Sequence, residues 1–131
     1  MKRAILLIVS MCLSSASTAQ AWVPFANCGG ADQLRSYFYD PSSVVTEGSN
    51  RVVSIRGDYS RVRGSGVSEG RILWTLDCGN RTYVENSRTE FRADGTVHSK
   101  YDSATGQMAI GSDSVAEKLS REVCASVASG T

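Results

Sequence analysis

The alternation of apolar and polar residues in the middle of the chain predicts β-strands. Residues 71–78 show it most clearly. Their apolar parity consists of Ile72, Trp74, Leu76 and Cys78. A period of two places this set on one face of a sheet, turned towards a core. Residues 51–59 repeat the pattern, with Val53, Ile55 and Tyr59 on one parity. Both segments are therefore predicted to be strands with one buried face.

Three further strands are predicted from shorter patterns, over residues 34–39, 82–92 and 96–100. The intervening segments carry turn residues. Residues 26–32 are predicted to be a loop, and residues 60–70, with three glycines, to be a flexible loop between strands.

The turn at residues 79–81 admits two registers for the hairpin it closes. A two-residue loop would place Glu85 opposite Trp74 and put a charge on the apolar face. A three-residue loop places Val84 opposite Leu76 instead. We predict the second register, because a slip of one residue exchanges the two faces of a strand.

Near the C-terminus the period changes to that of an amphipathic helix. Apolar residues recur at spacings of three and four, at Ala116, Leu119, Val123 and Val127. Ser112 or Ser114 can cap this helix, and Ser114 with Glu117 matches a capping box. So short a helix must dock on the sheet. The predicted fold class is α+β: an antiparallel β-sheet of about five or six strands packed against one C-terminal α-helix.

The first 21 residues are predicted to be a secretion signal. Lys2 and Arg3 precede an apolar stretch over 4–13, and Ala19-Gln20-Ala21 fits the small-x-small cleavage rule. Residues 22–131 then form a single domain, exported to the periplasm or secreted. Lipid anchoring at Cys12 is not expected, because Met11 stands where a small residue should precede a lipidated cysteine. No transmembrane anchor is predicted either.

Charge excludes some classes of partner. The 131 residues carry a formal charge of +1, and removing Lys2 and Arg3 leaves −1. Net charge therefore suggests neither nucleic acid nor an anionic membrane as a partner.

Three cysteines remain after the signal. Cys78 lies on an inward strand face and Cys124 beside the inward stripe of the helix, so these two form the natural bridge between helix and sheet. Sequence does not fix connectivity, and Cys28 could pair with either of them. If it does not, Cys28 is free or joins two chains into a homodimer.

The order of several short motifs resembles that of the surface-adhesin protein E family, a group of small bacterial envelope proteins. The motifs are Trp22, Tyr39-Asp40-Pro41-Ser42-Ser43-Val44, Asp58-Tyr59, Leu76-Asp77-Cys78, Arg81-Thr82-Tyr83, Gly111-Ser112 and Val123-Cys124. The resemblance implies an antiparallel sheet packed on a C-terminal helix, with the helix cysteine bridged to the sheet cysteine. The chain departs from the family at Met108 and Ile110, where an aromatic residue is usual, and at the extra Cys28.

Candidate chemistry is sparse. His98 is the sole histidine, so a catalytic triad or a Cys-His pair would have to use it. A zinc site needs about four ligands, which the chain does not offer once the bridge forms. No catalytic residue, cofactor or metal is therefore predicted.

The candidate binding surface consists of Arg61, Arg63, Arg81, Arg88 and Arg92. Arg81, Arg88 and Arg92 follow one strand, and on the outer sheet face some of them could form a patch for an acidic polymer or a protein. Cross-strand ion pairing with Glu85 and Glu90 is the competing interpretation. Arg61 and Arg63 belong to the 60–70 loop, which is either a contact or a plain linker.

The sequence as a whole favours an exported, non-enzymatic envelope protein that binds another macromolecule in an adhesin-like way. A periplasmic accessory or structural factor working with an envelope partner is the alternative. A small hydrolase is a third possibility, which would need His98 or a pair of acids inside a cleft.

Overall fold

The structure, a computed structural model, describes residues 20–125. Residues 1–19 of the predicted signal, with Cys12, and the helix position Val127 lie outside the described residues. No helix in the described part of the chain is long and apolar enough to cross a membrane.

Eight strands form one curled antiparallel sheet. They are β1 (Val23–Cys28), β2 (Arg35–Tyr39), β3 (Val45–Glu47), β4 (Asn50–Asp58), β5 (Glu69–Asp77), β6 (Thr82–Phe91), β7 (Val97–Tyr101) and β8 (Met108–Ala109). The main path runs β1-β2-β4-β5-β6-β7, with β3 paired to β4 and β8 paired to β6. One α-helix, α1 (Val115–Val123), follows the sheet. The predicted fold class is confirmed.

Strand β1 was not predicted, because residues 26–32 suggested a loop. Pro24 has no backbone N–H and suits only an edge strand, and β1 is the outermost strand on its side of the path. The pairing with β2 also shifts register between Pro24 and Ala26. A strand with a proline and an irregular register shows little period-two signal. The short strands β3 and β8 were missed for lack of length.

The predicted register of the β5–β6 hairpin is wrong beside the turn and right farther along the strands, where Ile72 pairs with Arg88. Beside the turn, Leu76 pairs with Tyr83 rather than Val84, and Trp74 pairs with Glu85, as a two-residue loop requires. The register then shifts by one residue between Leu73 and Trp74, which leaves Asn86 as the extra residue of a β-bulge. Glu85 is accepted on the inner face because its carboxylate receives the Trp74 indole N–H at 3.1 Å.

Asp40 is buried and organises the chain between β2 and β3. One of its carboxylate oxygens accepts the backbone N–H of Ser42 at 3.0 Å and the Ser42 hydroxyl at 2.6 Å. The Ser43 hydroxyl donates to the Asp40 carbonyl and accepts the backbone N–H of Ser54 on β4. These bonds form a short 3₁₀ turn over Pro41–Ser43. They give the conspicuous Asp-Pro-Ser-Ser sequence a structural role.

Helix α1 packs its apolar stripe against the inner face of the sheet. The core contains Val53, Leu76 and Leu119, all fully buried, together with Ala116 and Val123 of the helix. The Ser114 hydroxyl accepts the Glu117 backbone N–H at 3.1 Å, so the predicted cap is confirmed for Ser114. The helix therefore begins where the sequence places it and buries the predicted face.

A disulfide between Cys78 and Cys124 joins the end of β5 to the end of the helix. This confirms the pairing that both the residue pattern and the family resemblance indicated. Cys28 is free and exposed at the end of β1. The disulfide thus fixes the helix over one end of the inner face. The helix does not cover the other end of that face, which is bordered by loops.

Candidate functional site

An open cavity of about 480 Å³ lies at the end of the sheet that the helix does not cover. Its wall combines strand residues with the loop between β4 and β5, and no helix residue lines it. The lining residues are Arg35, Tyr37, Tyr59, Val62, Ser65, Val67, Arg88, Glu90 and His98. We define this as the inner-face cavity.

Two glycines form the floor beneath Tyr59. Gly57 of β4 pairs directly with Gly70 of β5, and both sit on the inner, otherwise apolar parity of their strands. A Cβ added to Gly57 would lie 2.6 Å from Cζ of Tyr59, and one added to Gly70 would lie 2.9 Å from its Cε2. Only glycine at both positions lets the Tyr59 ring lie flat against the sheet, where its edge meets the Tyr37 ring at a centroid distance of 6.1 Å.

Arg88 reaches the cavity from β6 and is held on two sides. Its Nε and Nη2 donate to the two carboxylate oxygens of Glu85 at 3.1 and 2.7 Å, and its Nη1 donates to the Tyr59 hydroxyl at 3.3 Å. Glu85 is held in turn by Trp74. A guanidinium has five N–H donors. Among the described residues, two N–H groups of Arg88 are left without an acceptor.

The ionisation of these groups follows from their partners. Burial raises the pKa of Glu85, but hydrogen bonds from Arg88 and Trp74 outweigh it and hold the pKa of this carboxyl below its usual range. Burial lowers the pKa of Arg88, and the bond to Glu85 more than reverses this, so the net shift is upward. Arg88 and Glu85 are therefore both charged at neutral pH.

The Tyr37 hydroxyl also keeps its proton. Burial, assisted by the neighbouring Tyr59 phenol, raises the pKa of Tyr37 to about 12. A phenol with this pKa remains a neutral hydrogen-bonding group across the physiological range.

The loop that rims the cavity is fastened at its base. The Tyr59 backbone N–H donates to the Ser68 carbonyl at 2.9 Å, and the Val62 N–H donates to the Tyr59 carbonyl at 2.9 Å. At the same end, Asp58 accepts the backbone N–H and the hydroxyl of Ser60. These bonds aim Val62 at the cavity. Loops held on a rigid sheet in this way commonly carry recognition.

The five predicted arginines do not form one patch. Arg61 and Arg63 are exposed in the rim loop, and Arg88 lies inside the cavity. Arg81 is at the opposite end of β6, where it pairs with Glu117 of the helix at 3.3 Å. Arg92 donates to the Val97 carbonyl within the β6–β7 turn.

Of the three strand arginines that could form an outer-face patch, Arg88 does not belong to one. Arg88 pairs with Ile72 across the strands and therefore shares its inner face. With the two-residue turn alone Arg88 would face outward, and the bulge at Asn86 returns it to the inner face, because one extra residue in β6 moves every later side chain to the other face. Ion pairing on the outer face instead joins Glu69 to Arg56 at 2.6 Å and to Arg71 at 2.9 Å.

His98 offers little for catalysis. It is the unpaired residue of β7 at a register shift with β6, and it lies exposed at the cavity mouth. Within residues 20–125 its imidazole has no recorded hydrogen bond or ion pair. In the same range, no three His, Cys, Asp or Glu side chains come together in a way that could hold a metal ion.

Sequence reasoning missed the tyrosines and glycines that build the cavity. The available signal was the placement of Gly57 and Gly70 on the apolar parity of their strands, since a glycine within a strand often marks a close approach by another group. Tyr59, which we assigned to the buried face, is the group that approaches.

Comparison with known proteins gives one result. A family model described as Surface-adhesin protein E matches residues 22–125, nearly the whole chain after the predicted signal. No curated protein and no solved structure matches the chain closely enough to add to this.

Proposed function

We propose, because the chain belongs to the surface-adhesin protein E family, that it is an exported, non-enzymatic protein of the bacterial envelope that binds another macromolecule. The contact surface in this proposal is the inner-face cavity together with its rim loop. Arg61, Arg63 and Arg88 belong to it, whereas Arg81 and Arg92 serve local structure.

The observation that carries the proposal is that the helix covers only one end of the inner sheet face. Helix α1 buries one end of the inner face, and the other end keeps a cavity lined by Tyr37, Tyr59 and Arg88. Partly open cavities with aromatic walls and a few fixed polar groups are typical of binding sites. Tyrosine and arginine are also the residue types that contribute most at protein interfaces.

Export is supported by the bridge between Cys78 and Cys124, because structural disulfides persist in oxidising compartments. The non-enzymatic part of the proposal is supported by the family and by the position of His98. A general base must lie within hydrogen-bond reach of a reacting group and usually has a fixed orientation. An exposed imidazole without a bonded partner is poorly suited to that task.

The proposal is tested by measuring binding of the exported protein, purified after expression of the full chain. Immobilised cell-envelope fractions and extracellular-matrix preparations serve as surfaces. We expect saturable binding that falls when Arg61 and Arg63 are both replaced by Gln. Arg81→Gln is the matched control and should bind like the wild type. Absence of binding to every surface would overturn the proposal, and so would equal losses in the loop variant and the control.

A further inference from the structure

We propose, on the basis of the binding function inferred above, that the inner-face cavity takes one uncharged sugar residue of a glycan. The evidence is the size of the cavity, the number of free donors and acceptors on its wall, and the balance of charges around it. Each of these three observations independently limits the chemical class of ligand that can bind.

The cavity volume limits what can enter. Small-molecule sites usually occupy about 300–1,000 Å³, and this cavity, at about 480 Å³, lies towards the lower end. It has room for a single ring with its substituents and not for a folded partner. A polymer that binds here would place one unit inside and leave the rest of the chain across the rim loop.

The wall carries both kinds of hydrogen-bonding group. Arg88 has two N–H donors left over after its bonds to Glu85 and Tyr59. Glu90 lines the same cavity, and among the described residues its carboxylate has no recorded ion pair or side-chain hydrogen bond. A carboxylate of this kind only accepts, and a guanidinium only donates. A ligand that satisfies both must donate and accept, as the hydroxyl groups of a sugar do.

Charge balance favours an uncharged ligand. The guanidinium charges at the cavity wall are those of Arg35 and Arg88, and the carboxylate charges are those of Glu90 and of Glu85, which holds Arg88. These four charges sum to zero, and Arg61 and Arg63 of the rim loop do not line the cavity. An anionic group attracted to Arg88 would find its charge already matched by Glu85 and would meet Glu90, which lies two residues further along β6 on the same face. An acidic polymer needs an excess of positive charge, which this site does not provide.

The remaining wall is largely apolar. Tyr37 and Tyr59 present ring surfaces, and Val62 and Val67 face them from the rim loop. Such surfaces suit the C–H faces of a sugar ring, because aromatic side chains combine an apolar body with a polar tip. Tyr59 is fixed on its glycine floor, and Arg88 is fixed between two partners. Little side-chain freedom is therefore lost when a ligand binds.

The test follows two N–H groups directly in ¹⁵N-labelled protein made from the full chain. The Arg88 side-chain Nε–H and the Trp74 indole N–H report on the cavity wall and on the group behind it. The probes are methyl glycosides of glucose, galactose and N-acetylglucosamine, with methyl glucuronide and inorganic sulfate as charged comparisons. We expect saturable shifts of the Arg88 signal with at least one neutral glycoside and weaker binding of both anions.

Variants distinguish binding in the inner-face cavity from nonspecific binding elsewhere on the protein surface. Val62→Trp fills the cavity from the rim loop, away from the core, and should abolish the shifts. Arg88→Lys keeps the charge but removes the planar fork, and should weaken binding about tenfold through the lost hydrogen bonds. Tyr37→Phe keeps the ring and removes the hydroxyl group. It provides a second test of the cavity wall should the Arg88 variant fail to fold. Arg81→Gln is the control and should behave like the wild type.

Three outcomes of the glycoside titrations would overturn the inference. They are tighter binding of glucuronide or sulfate than of every neutral glycoside, no saturable shift with any probe, or unchanged binding in Val62→Trp. Binding of the macromolecular surfaces after periodate has destroyed their glycans would also overturn it, and would leave the proposed function standing. If the wild type does not bind the untreated surfaces at all, in contrast, the proposed function is overturned.

Discussion

The carboxylate of Glu85 holds the guanidinium of Arg88 from three positions earlier on the same strand, at 2.7 Å on the closer side. In a regular strand, residues three apart point to opposite faces of the sheet. The extra residue at Asn86 turns both onto the inner face. A single β-bulge thus creates the ion pair and aims Arg88 into the cavity.

This relationship predicts a stability cost for losing Glu85. Glu85→Ala removes the acceptor of two N–H groups of Arg88 and of the Trp74 indole N–H, leaving three partly buried N–H groups unpaired. We expect the free energy of unfolding to fall by about 2 kcal/mol, measured by urea denaturation. The exposed Glu47, changed to Ala, is the control and should alter it by less than about 0.5 kcal/mol. Equal effects would show that the pair contributes nothing particular.

The same carboxylate predicts a pH dependence. The pKa of Glu85 is depressed in the folded protein, so its contribution to stability is present above the unfolded value of about 4.3. It is lost as pH falls through the folded pKa. Wild type should therefore lose more unfolding free energy below about pH 4.3 than Glu85→Gln does. Denaturation curves between neutral and acid pH measure this. Parallel loss in both proteins would assign the acid sensitivity to other carboxyl groups.

The two glycines beneath Tyr59 predict that a Gly→Ala substitution, which usually stabilises a strand, destabilises this one. Alanine normally replaces glycine in a strand with a gain, because glycine costs chain entropy. Gly57→Ala should instead cost about 1–3 kcal/mol, since the added methyl group would overlap the Tyr59 ring. Gly106→Ala, whose Cβ would meet nothing within 4 Å, is the control. Thermal or urea unfolding measures both, and a neutral Gly57→Ala would show that the Tyr59 ring shifts freely.

The disulfide predicts a large effect of its removal. The bridge joins residues separated by 46 positions. In the chain-entropy model, closing a loop of this length stabilises the folded state by roughly 4 kcal/mol. Replacing Cys78 and Cys124 together by Ser should lower the unfolding free energy by an amount of that order. Cys28→Ser should leave it nearly unchanged, because that thiol is exposed. A loss below about 1 kcal/mol would indicate that the helix docks without the bridge.

The exposed Cys28 predicts linkage between two copies of the chain. Under oxidising conditions at high protein concentration, we expect a covalent dimer on non-reducing gels that reduction converts to monomer. Cys28→Ser should give monomer in both gels. A monomeric wild type under the same conditions would count against a homodimer held by this thiol.

Much of the fold could be predicted from local patterns. The inner parity of β4 and β5 and the cap at Ser114 rest on spacing that short-range geometry fixes. The pairing of Cys78 with Cys124 was indicated by the faces on which the two residues lie, although sequence left Cys28 as an alternative partner. Strand β1 was missed because Pro24 and an irregular register hide its period. The hairpin register was wrong only beside the turn, because a glutamate facing Trp74 looked too costly, and its compensation by Arg88 depends on contacts made only after folding.

The site was harder to predict than the fold for the same reason. A β-bulge adds one residue without changing composition or local propensity, and the face that Arg88 occupies depends on it. The two glycines under Tyr59 were visible in the sequence. Their meaning became clear only when β4 and β5 were paired and the tyrosine ring was found above them.

The short helix divides the molecule into two regions with different tolerance to change. Helix α1 and one disulfide close the core at one end. The rim loop at the other end contributes Val62, Ser65 and Val67 to the cavity, and none of the three belongs to the core cluster. Substitutions in that loop can therefore alter the wall of the cavity while the folding core stays the same.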